Sequence, residues 1–352
     1  MNCAEKIVKE DLEQICSAAY IPWQDLEGKT ILVTGATGLI GTNIVEALCW
    51  ADEKFALHSR VLALVRDRNK AEKTFSEQLR TAKALELVVG TVEQLPEMED
   101  SVDYIIHAAN PTASKFFQDH PVETLEIAIS GTKNILELAR RKESLGVVFL
   151  SSMEVYGCPP KGTTIQEKDV AGFQPSVTRN CYPLSKLTCE SLCCAYAAEY
   201  NVPAKIVRLT QTFGPGVQYQ DGRVFAEFMR CAVEKRDIVL KTRGLTERSY
   251  LYTADAVTAI LTVLLCGENG ESYTAANADT YCSIYQMAEL VAKELANNCI
   301  SVIAAEADNG AAFGYADTLY MNLDTSKLES LGWRATRSLP EMFQRMTSSA
   351  VK

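Results

Sequence analysis

Short, uninterrupted apolar runs alternate with longer amphipathic stretches through the first half of the chain. The apolar runs predict strands at Thr30–Thr34, Val61–Val65, Leu85–Val89, Tyr104–His107 and Val147–Leu150. The stretches between and after them have apolar residues at helical spacing and predict helices at Gly38–Ala51, Lys70–Leu79, Val122–Arg140 and from Tyr182 through Tyr200. Apolar strands separated by amphipathic helices are typical of a parallel sheet covered on both faces, and right-handed crossovers make it a doubly wound α/β fold.

The alternation stops near residue 210, which indicates a second unit. Turn-rich segments at Gly214-Pro215-Gly216 and Asp221-Gly222 follow, with short predicted strands and helices behind them. We therefore divide the chain into an N-terminal helical extension (1–28, with helical spacing over 5–19), a main domain (29–210, with 251–266 packed on it) and a smaller C-terminal substrate lobe (211–250 and 267–352). The cleft between the lobes, at the carboxyl ends of the parallel strands, is the expected ligand site.

Charge and cysteine content exclude several classes of partner. The net charge is -10, so no basic stripe is available to neutralise nucleic-acid phosphates. The 12 cysteines are scattered without a Cys-x-x-Cys pair and the chain has 3 histidines, which argues against a metal site and for reduced thiols. The longest apolar run, Ala256–Cys266, is too short to span a bilayer, and residues 1–30 lack an apolar signal core. We expect a cytoplasmic protein without a metal, nucleic-acid or membrane partner.

A glycine-rich turn lies between the strand Thr30–Thr34 and the helix that follows it. It reads Thr34-Gly35-Ala36-Thr37-Gly38-Leu39-Ile40-Gly41. Glycines at this spacing permit a tight turn, let the backbone approach a pyrophosphate and let the helix pack closely on the strand, while the helix N-terminus offers N–H donors to the phosphates. The turn predicts a Rossmann-type NAD(P) site. Its contacts would be Gly35, Thr37, Gly38, Leu39, Ile40 and Gly41, with Ala108 and Ala109 from the end of the strand Tyr104–His107.

The end of the second strand bears on the choice of cofactor. A carboxylate there would bind the ribose hydroxyls of NAD, but the strand runs into Arg66-Asp67-Arg68, with Lys70 close behind. A guanidinium suits a 2′-phosphate, so Arg66 favours NADP over NAD. The alternative is that Asp67 turns inward to the ribose and the arginines form a solvated face.

Candidate catalytic residues follow the strand Val147–Leu150 and begin the helix at Tyr182. The strand end continues as Ser151-Ser152-Met153-Glu154-Val155-Tyr156-Gly157, and the helix begins Tyr182-Pro183-Leu184-Ser185-Lys186. Tyr182 and Lys186 share one helical face because they stand at i and i+4. The Lys186 ammonium, with an oxidised nicotinamide, is expected to lower the phenol pKa so that Tyr182 can take a proton from a substrate hydroxyl, while Ser152 hydrogen-bonds the developing oxyanion.

Together these motifs resemble the extended short-chain dehydrogenase/reductases, the superfamily of NDP-sugar epimerases, dehydratases and decarboxylases. The resemblance covers roughly residues 29–345 and includes the glycine turn, the Ser-Ser-x-Glu-Val-Tyr-Gly strand end and the Tyr-x-x-x-Lys helix. The further matches are Arg208 through Thr212-Phe213-Gly214-Pro215, Asp221-Gly222-Arg223-Val224, Arg248 before Tyr252, and Leu331-Gly332-Trp333. Within the superfamily the chain is most similar to UDP-glucuronate decarboxylases.

The resemblance implies a nucleotide-sugar substrate, a homodimer and a role for each matched residue. Ser152, Tyr182 and Lys186 would form the redox triad, and Glu154 would be an additional acid/base. The residues that would contact the substrate are Gln211, Arg223 and Arg248, the two arginines at its diphosphate.

Departures from the family pattern leave the subclass open. Met153 replaces the Asp that precedes the Glu in dehydratases acting on dTDP-glucose, and a thioether cannot protonate a leaving hydroxyl. Gln211 stands where most relatives have Asn, and Pro183-Leu184-Ser185 stands where the decarboxylases have Asp-Glu-Gly. Glu154 favours decarboxylation or dehydration through a transient 4-keto sugar. The alternatives are a 4-epimerase, an NADPH-dependent carbonyl reductase and a catalytically silent binding module.

Overall fold

The computed structural model describes residues 3–112, 114–305 and 318–350. Its strands are β1 Thr30–Thr34, β2 Arg60–Val65, β3 Leu85–Val89, β4 Tyr104–His107, β5 Gly146–Ser152, β6 Thr164–Ile165, β7 Ala204–Leu209, β8 Gln211–Phe213, β9 Ile238–Leu240, β10 Glu247–Tyr252, β11 Ser272–Ala275, β12 Asn277–Ser283, β13 Val302–Ala304 and β14 Tyr320–Leu323. Its helices are α1 Cys3–Cys16, α2 Leu39–Phe55, α3 Arg68–Thr74, α4 Ser76–Thr81, α5 Ser114–Asp119, α6 Pro121–Lys142, α7 Cys181–Tyr200, α8 Val224–Glu234, α9 Thr253–Cys266, α10 Ile284–Glu294, α11 Ser326–Glu329 and α12 Leu339–Ala350.

Within the described residues, seven parallel strands form the central sheet in the order β3-β2-β1-β4-β5-β7-β11. The strand order reverses beside β1. From β1 the chain adds β2 and β3 on one side, and then crosses back to add β4, β5, β7 and β11 on the other side. Strands β1 and β4 are buried along their whole length, as the continuous apolar runs require. The predicted doubly wound α/β fold is confirmed, and the reversal places the carboxyl ends of β1 and β4 at the crevice where such folds bind ligands.

Helices cover both faces of this sheet, with α6 against α7 on one face and α2 beside α9 on the other. The predicted single helix Lys70–Leu79 is wrong, because the chain forms α3 and α4 with a break at Phe75. The backbone of Phe75 leaves helical geometry while its ring is fully buried in the core. Burying this ring against the sheet therefore overrides the helical periodicity.

A second sheet covers the carboxyl edge of the first. Strands β12, β10, β14 and β6 lie side by side, and β8 pairs with β10. Helix α9 packs on β5 and β7, and β11 returns to the edge of the central sheet beside β7, although it comes from the segment 267–352. The exact lobe boundaries stay a prediction.

Helix α1 ties the two ends of the chain together. It packs on α12, α2 and α9, and its buried Asp11 accepts hydrogen bonds from the Tyr252 hydroxyl at 2.6 Å and from Arg345 at 2.7 Å. The N-terminal extension is thus an integral part of the folded domain.

None of the described helices is both long enough and apolar enough to cross a membrane. Over the same part of the chain, no group of three or more His, Cys, Asp or Glu side chains could hold a metal ion.

Candidate active site

The glycine turn joins β1 to α2 with almost no space around it. Gly35 has φ +65°, and a Cβ there would lie 2.8 Å from the carbonyl carbon of Ala108. A Cβ on Gly41 would lie 2.2 Å from the Gly35 carbonyl oxygen. Gly38 caps α2 without any side-chain hydrogen bond. The first N–H groups of α2, which include those of Leu39 and Ile40, have no acceptor within the helix and face the crevice, so they can receive an anion.

The end of β4 forms the opposite wall of this turn. The Thr34 hydroxyl accepts the backbone N–H groups of Ala108 and Ala109, each at 3.1 Å, and is 2.8 Å from His107 Nδ1. Since the hydroxyl already accepts two bonds, it donates its own proton to Nδ1, which leaves the His107 proton on Nε2, facing Thr132 at 3.2 Å. Burial lowers the pKa of His107 to about 3, so the ring is neutral. Thr34 therefore locks the loop that carries Ala108 and Ala109 against the glycine turn.

The residues after β2 have separate tasks. The Asp67 carboxylate accepts the backbone N–H of Lys70 at 3.0 Å and caps α3. Arg68 pairs with Glu72 at 2.9 Å, one turn further along the helix. Arg66 is exposed and has no hydrogen bond or ion pair with another described residue. The structure thus places one Asp67 oxygen at the cap of α3 and leaves Arg66 exposed, and the choice between Arg66 at a 2′-phosphate and Asp67 at the ribose stays a prediction.

Tyr182 and Lys186 lie on the face of α7 that meets the end of β5. The phenol of Tyr182 is buried, and the Ser152 hydroxyl lies close enough to oppose part of the rise in its pKa. The Lys186 ammonium donates to the Leu150 carbonyl oxygen at 2.6 Å and lies 5.8 Å from the centre of the Tyr182 ring. Helix α7 and strand β5 thus bring the three predicted redox residues into one site.

Burial dominates the acid–base properties of this triad. It raises the pKa of Tyr182, and the negative charge of Glu154 raises it further. Burial also lowers the pKa of Lys186 to about 8. In the protein alone the Lys186 ammonium is directed at the Leu150 carbonyl and burial keeps the phenol pKa high. The expected lowering of that pKa by Lys186 together with an oxidised nicotinamide stays a prediction.

Glu154 lies beside the triad in the 3-10 turn Met153–Tyr156 that follows β5. Its carboxylate is 3.1 Å from the guanidinium of Arg179, in the turn directly before α7. That guanidinium lies over the Phe117 ring, 4.7 Å from its centre, and the Phe117 ring is stacked on the Tyr182 ring at 4.6 Å. Phe117 therefore contacts both Tyr182 and Arg179 close to the Glu154 carboxylate.

Met153 faces away from this carboxylate. Its side chain is buried in an apolar cluster with Ile165 and Met321, and its sulfur accepts the Thr210 hydroxyl at 3.2 Å. The position next to Glu154 therefore offers the cleft neither an acid nor a base.

The three predicted substrate contacts differ in their surroundings. Arg248 donates to the Gln211 side-chain oxygen at 3.2 Å across the β8–β10 pair, and its buried Nε has no hydrogen-bond partner among the described residues. Arg223 instead forms a two-point ion pair with Asp221, at 2.9 and 2.7 Å, and stacks on Phe225. Arg248 is thus available for an anionic ligand, whereas Arg223 already has an anionic partner.

Sequence reasoning missed a buried ion pair below the catalytic residues. Glu190 receives two hydrogen bonds from Arg208, at 3.0 and 2.6 Å, and accepts the Ser151 hydroxyl. Both side chains are almost fully buried. The available signal was that Glu190 stands four residues after Lys186 on the same helical face, and that Arg208 interrupts an apolar strand. This pair anchors the end of β5 to α7, and so supports Ser152 next to Ser151.

The residues at the crevice fit a dinucleotide. The glycine turn leaves room only for backbone, and the N-terminus of α2 presents free N–H groups. The turn follows β1 and the Ser152 site follows β5, and β4 lies between these two strands in the sheet. Such an arrangement can hold a pyrophosphate at one end and exchange a proton with a hydroxyl at the other.

Comparisons with known proteins agree with this geometry. A family model described as "NAD dependent epimerase/dehydratase family" matches residues 31–278. UDP-glucuronic acid decarboxylase 1 of Xenopus tropicalis is 28% identical over 290 residues, 82% of this chain. The match covers 65% of that relative, so the chain spans just under two thirds of its length.

Two solved structures show the same fold. An epimerase from the methanogen Methanothermobacter thermautotrophicus superposes with a TM-score of 0.76 at 21% identity, covering 92% of this chain and 93% of that one. A UDP-glucuronic acid 4-epimerase from Bacillus cereus in complex with NAD superposes with a TM-score of 0.73 at 19% identity, covering 91% and 98%. At these identities the likeness extends to the fold alone.

Proposed function

We propose that this chain, which belongs to the NAD dependent epimerase/dehydratase family, oxidises a nucleotide-diphosphate sugar at C4 and reduces it again after a carboxylate beside the new ketone has left as CO2. The observation that carries the proposal is the placement of Glu154 and its Arg179 partner next to the Ser152–Tyr182 pair. A reaction that only moved hydride would need Ser152, Tyr182 and Lys186, but no additional carboxylate. The similarity to a decarboxylase of UDP-glucuronic acid supports the same substrate class.

Bound NAD(P) would supply a reversible acceptor for the hydride of the sugar carbon. In our proposal the glycine turn and the N-terminus of α2 hold its pyrophosphate. Arg66 supports a preference for NADP. Its exposed guanidinium at the end of β2 has no partner among the described residues, so it can pair with a 2′-phosphate.

In the first step, Tyr182 takes the proton of the C4 hydroxyl. Its phenol is unfavourable as an anion while the site is empty, because burial raises its pKa. The positive charge of an oxidised nicotinamide close to the phenol would offset this penalty, so proton transfer is coupled to the presence of the cofactor. Ser152, whose hydroxyl is near the phenol, would hold the sugar oxygen as it becomes a ketone.

In the second step, the bond between C5 and the carboxylate carbon breaks. Its electron pair moves toward the C4 ketone, which becomes an enolate, and CO2 leaves. C5 then needs a proton, and Glu154 is the carboxyl group in position to deliver or relay it. Return of the hydride to C4 and of the proton from Tyr182 to the C4 oxygen completes a redox-neutral cycle.

Decarboxylation is favoured over dehydration by the position of Met153. Elimination of a hydroxyl needs an acid for the leaving oxygen in addition to a base. The Met153 side chain is buried and bonded to Thr210, so the turn after β5 supplies Glu154 alone. Loss of CO2 needs no acid at the leaving group, which matches a turn that provides the Glu154 carboxyl group without a second acid beside it.

The test compares wild type with Glu154→Gln in a single turnover of UDP-glucuronate labelled in its carboxylate. We expect wild type to release labelled CO2 and return to oxidised cofactor. We expect Glu154→Gln to accumulate reduced nicotinamide and to form product about 10²–10⁴-fold more slowly. Glu126→Gln, an exposed change on α6, is the matched control and should behave as wild type.

Three outcomes would contradict the proposal. Inversion at C4 without CO2 would identify an epimerase, and net consumption of NADPH would identify a reductase. Wild-type rates of product formation in Glu154→Gln would show that the carboxylate is structural.

A further inference from the structure

Arg179 is the charged residue closest to the candidate acid/base and was not among the predicted site residues. Its guanidinium is 3.1 Å from the Glu154 carboxylate and 4.7 Å from the centre of the Phe117 ring. Phe117 is almost completely buried and its ring is also stacked on the Tyr182 ring. Contact with a buried ring on one side and with the Glu154 carboxylate on another restricts the position of the guanidinium.

The Arg179–Glu154 pair is not built as a stabilising core contact. The two side chains are 34% and 30% exposed, whereas those of the buried pair Arg208 and Glu190 are 5% and 7% exposed. A half-exposed pair joined through one nitrogen contributes little to stability. In the described part of the chain, only Nη2 of Arg179 has a hydrogen-bond partner, so the remaining N–H groups of the fork are available to a ligand.

We propose that Arg179 binds the sugar carboxylate of a nucleotide-linked hexuronic acid and thereby selects acidic over neutral sugars. The inference rests on the proposed function, since that function puts C4 at the Tyr182 hydroxyl. The carboxylate of a hexuronic acid is attached to C5, the neighbour of C4. It would therefore lie within a few ångströms of the phenol, and our inference directs it toward the Arg179–Glu154 pair beside the triad.

Electrostatics explains why an arginine is needed at this place. An acidic sugar approaching Glu154 brings two negative charges together, which disfavours its binding. A guanidinium can hold one carboxylate on each of its edges, so Arg179 can keep Glu154 in place and pair with the sugar carboxylate at the same time. A neutral sugar has no carboxylate to pair with the edge of Arg179 that faces away from Glu154, so Arg179 adds little to its binding.

The experiment measures binding rather than turnover. Isothermal titration of the NAD(P)-loaded full-length protein, in a Tyr182→Phe background that cannot turn the sugar over, gives Kd for UDP-glucuronate and for UDP-glucose. The titration is made with position 179 as wild type, as Arg179→Gln and as Arg179→Lys. We expect Arg179→Gln to weaken UDP-glucuronate about 10-fold to 100-fold, the range for charge-assisted hydrogen bonds, and to change UDP-glucose less than about threefold. Arg179→Lys keeps the charge without the fork, so it should recover part of the loss. Arg236→Gln, an exposed arginine paired with Glu234, is the control and should change neither Kd.

The outcomes separate this inference from the function on which it rests. If wild type binds both sugars and Arg179→Gln weakens both equally, or weakens neither, Arg179 does not read the carboxylate and the inference is wrong while the proposed function stands. If wild type binds neither nucleotide sugar, both are wrong.

Discussion

Replacing Gly41 with alanine tests whether the glycine turn is the phosphate site. The new Cβ would lie 2.2 Å from the Gly35 carbonyl oxygen and 2.8 Å from the Ala36 Cα, both backbone atoms. Cβ atoms essentially never approach other atoms closer than 3.0 Å, so the start of α2 must move away from β1 by about 0.8 Å. Backbone cannot rotate aside as a side chain can, and the helix N-terminus itself is displaced.

This displacement translates into an expected loss of cofactor affinity. The free N–H groups at the start of α2 would move by nearly an ångström relative to a bound pyrophosphate, which takes a hydrogen bond out of its optimal range. Two such bonds to a charged acceptor are worth roughly 3–6 kcal/mol together, so Kd for NAD(P) should rise about 10²–10⁴-fold. The strained packing should also lower the free energy of unfolding by about 1–3 kcal/mol.

Titration with NAD and NADP, followed by intrinsic fluorescence, measures the first effect, and urea unfolding measures the second. Two glycines provide a graded control. A Cβ on Gly38 would lie 3.2 Å from the Gly35 oxygen, and one on Gly172 would meet nothing within 4 Å. We expect Gly38→Ala to have an intermediate effect and Gly172→Ala to have none. A folded Gly41→Ala protein that binds the cofactor as tightly as wild type would refute the assignment of the phosphate site.

Three further changes probe the cofactor preference, pH dependence and the buried ion pair. Arg66→Ala should weaken NADP about tenfold or more and leave NAD nearly unchanged, because only NADP offers a charged 2′-phosphate; equal effects in a binding titration would return the preference to NAD. Burial raises the pKa of Glu46 to about 7, so its favourable contribution is complete below its unfolded value and is lost as pH rises through 7. Glu46→Gln should therefore have a higher Tm than wild type at pH 8, by a gap that closes toward pH 5, and a pH-independent gap would show that Glu46 does not titrate there. Arg208→Met should cost about 3–5 kcal/mol in urea unfolding because Glu190 would be left charged and buried, and Arg208→Met with Glu190→Met should recover much of that loss.

Local sequence patterns were sufficient for the fold and for the centre of the site. Continuous apolar runs predicted the five strands from β1 to β5, and the confirmed family was identified from the glycine turn, the strand end at Ser152 and the helix at Tyr182. These features depend on neighbours within a few residues along the chain. A helical face brings Tyr182 and Lys186 together at a spacing of four whatever surrounds the helix, and a turn of small residues has the same backbone needs in any context.

The tertiary structure decided everything that depends on side chains meeting from distant parts of the chain. Phe117 on α5 covers Tyr182 on α7, Arg179 faces Glu154, and Arg208 on β7 finds Glu190. The cap of α3 is a similar case, because the sequence alone did not show that the Asp67 carboxylate accepts the backbone N–H of Lys70.

The acid–base properties of the site followed from the same cause. The sequence placed a lysine near a tyrosine, but the pKa of each depends on how much water the fold removes. Here burial raises the pKa of Tyr182 and lowers the pKa of Lys186. A charge pattern in the sequence carries no measure of desolvation, because burial results from packing among segments that are far apart in the chain. The sequence by itself therefore determined which groups can do the chemistry, and the tertiary structure decided which of them are charged, paired or free to meet a substrate.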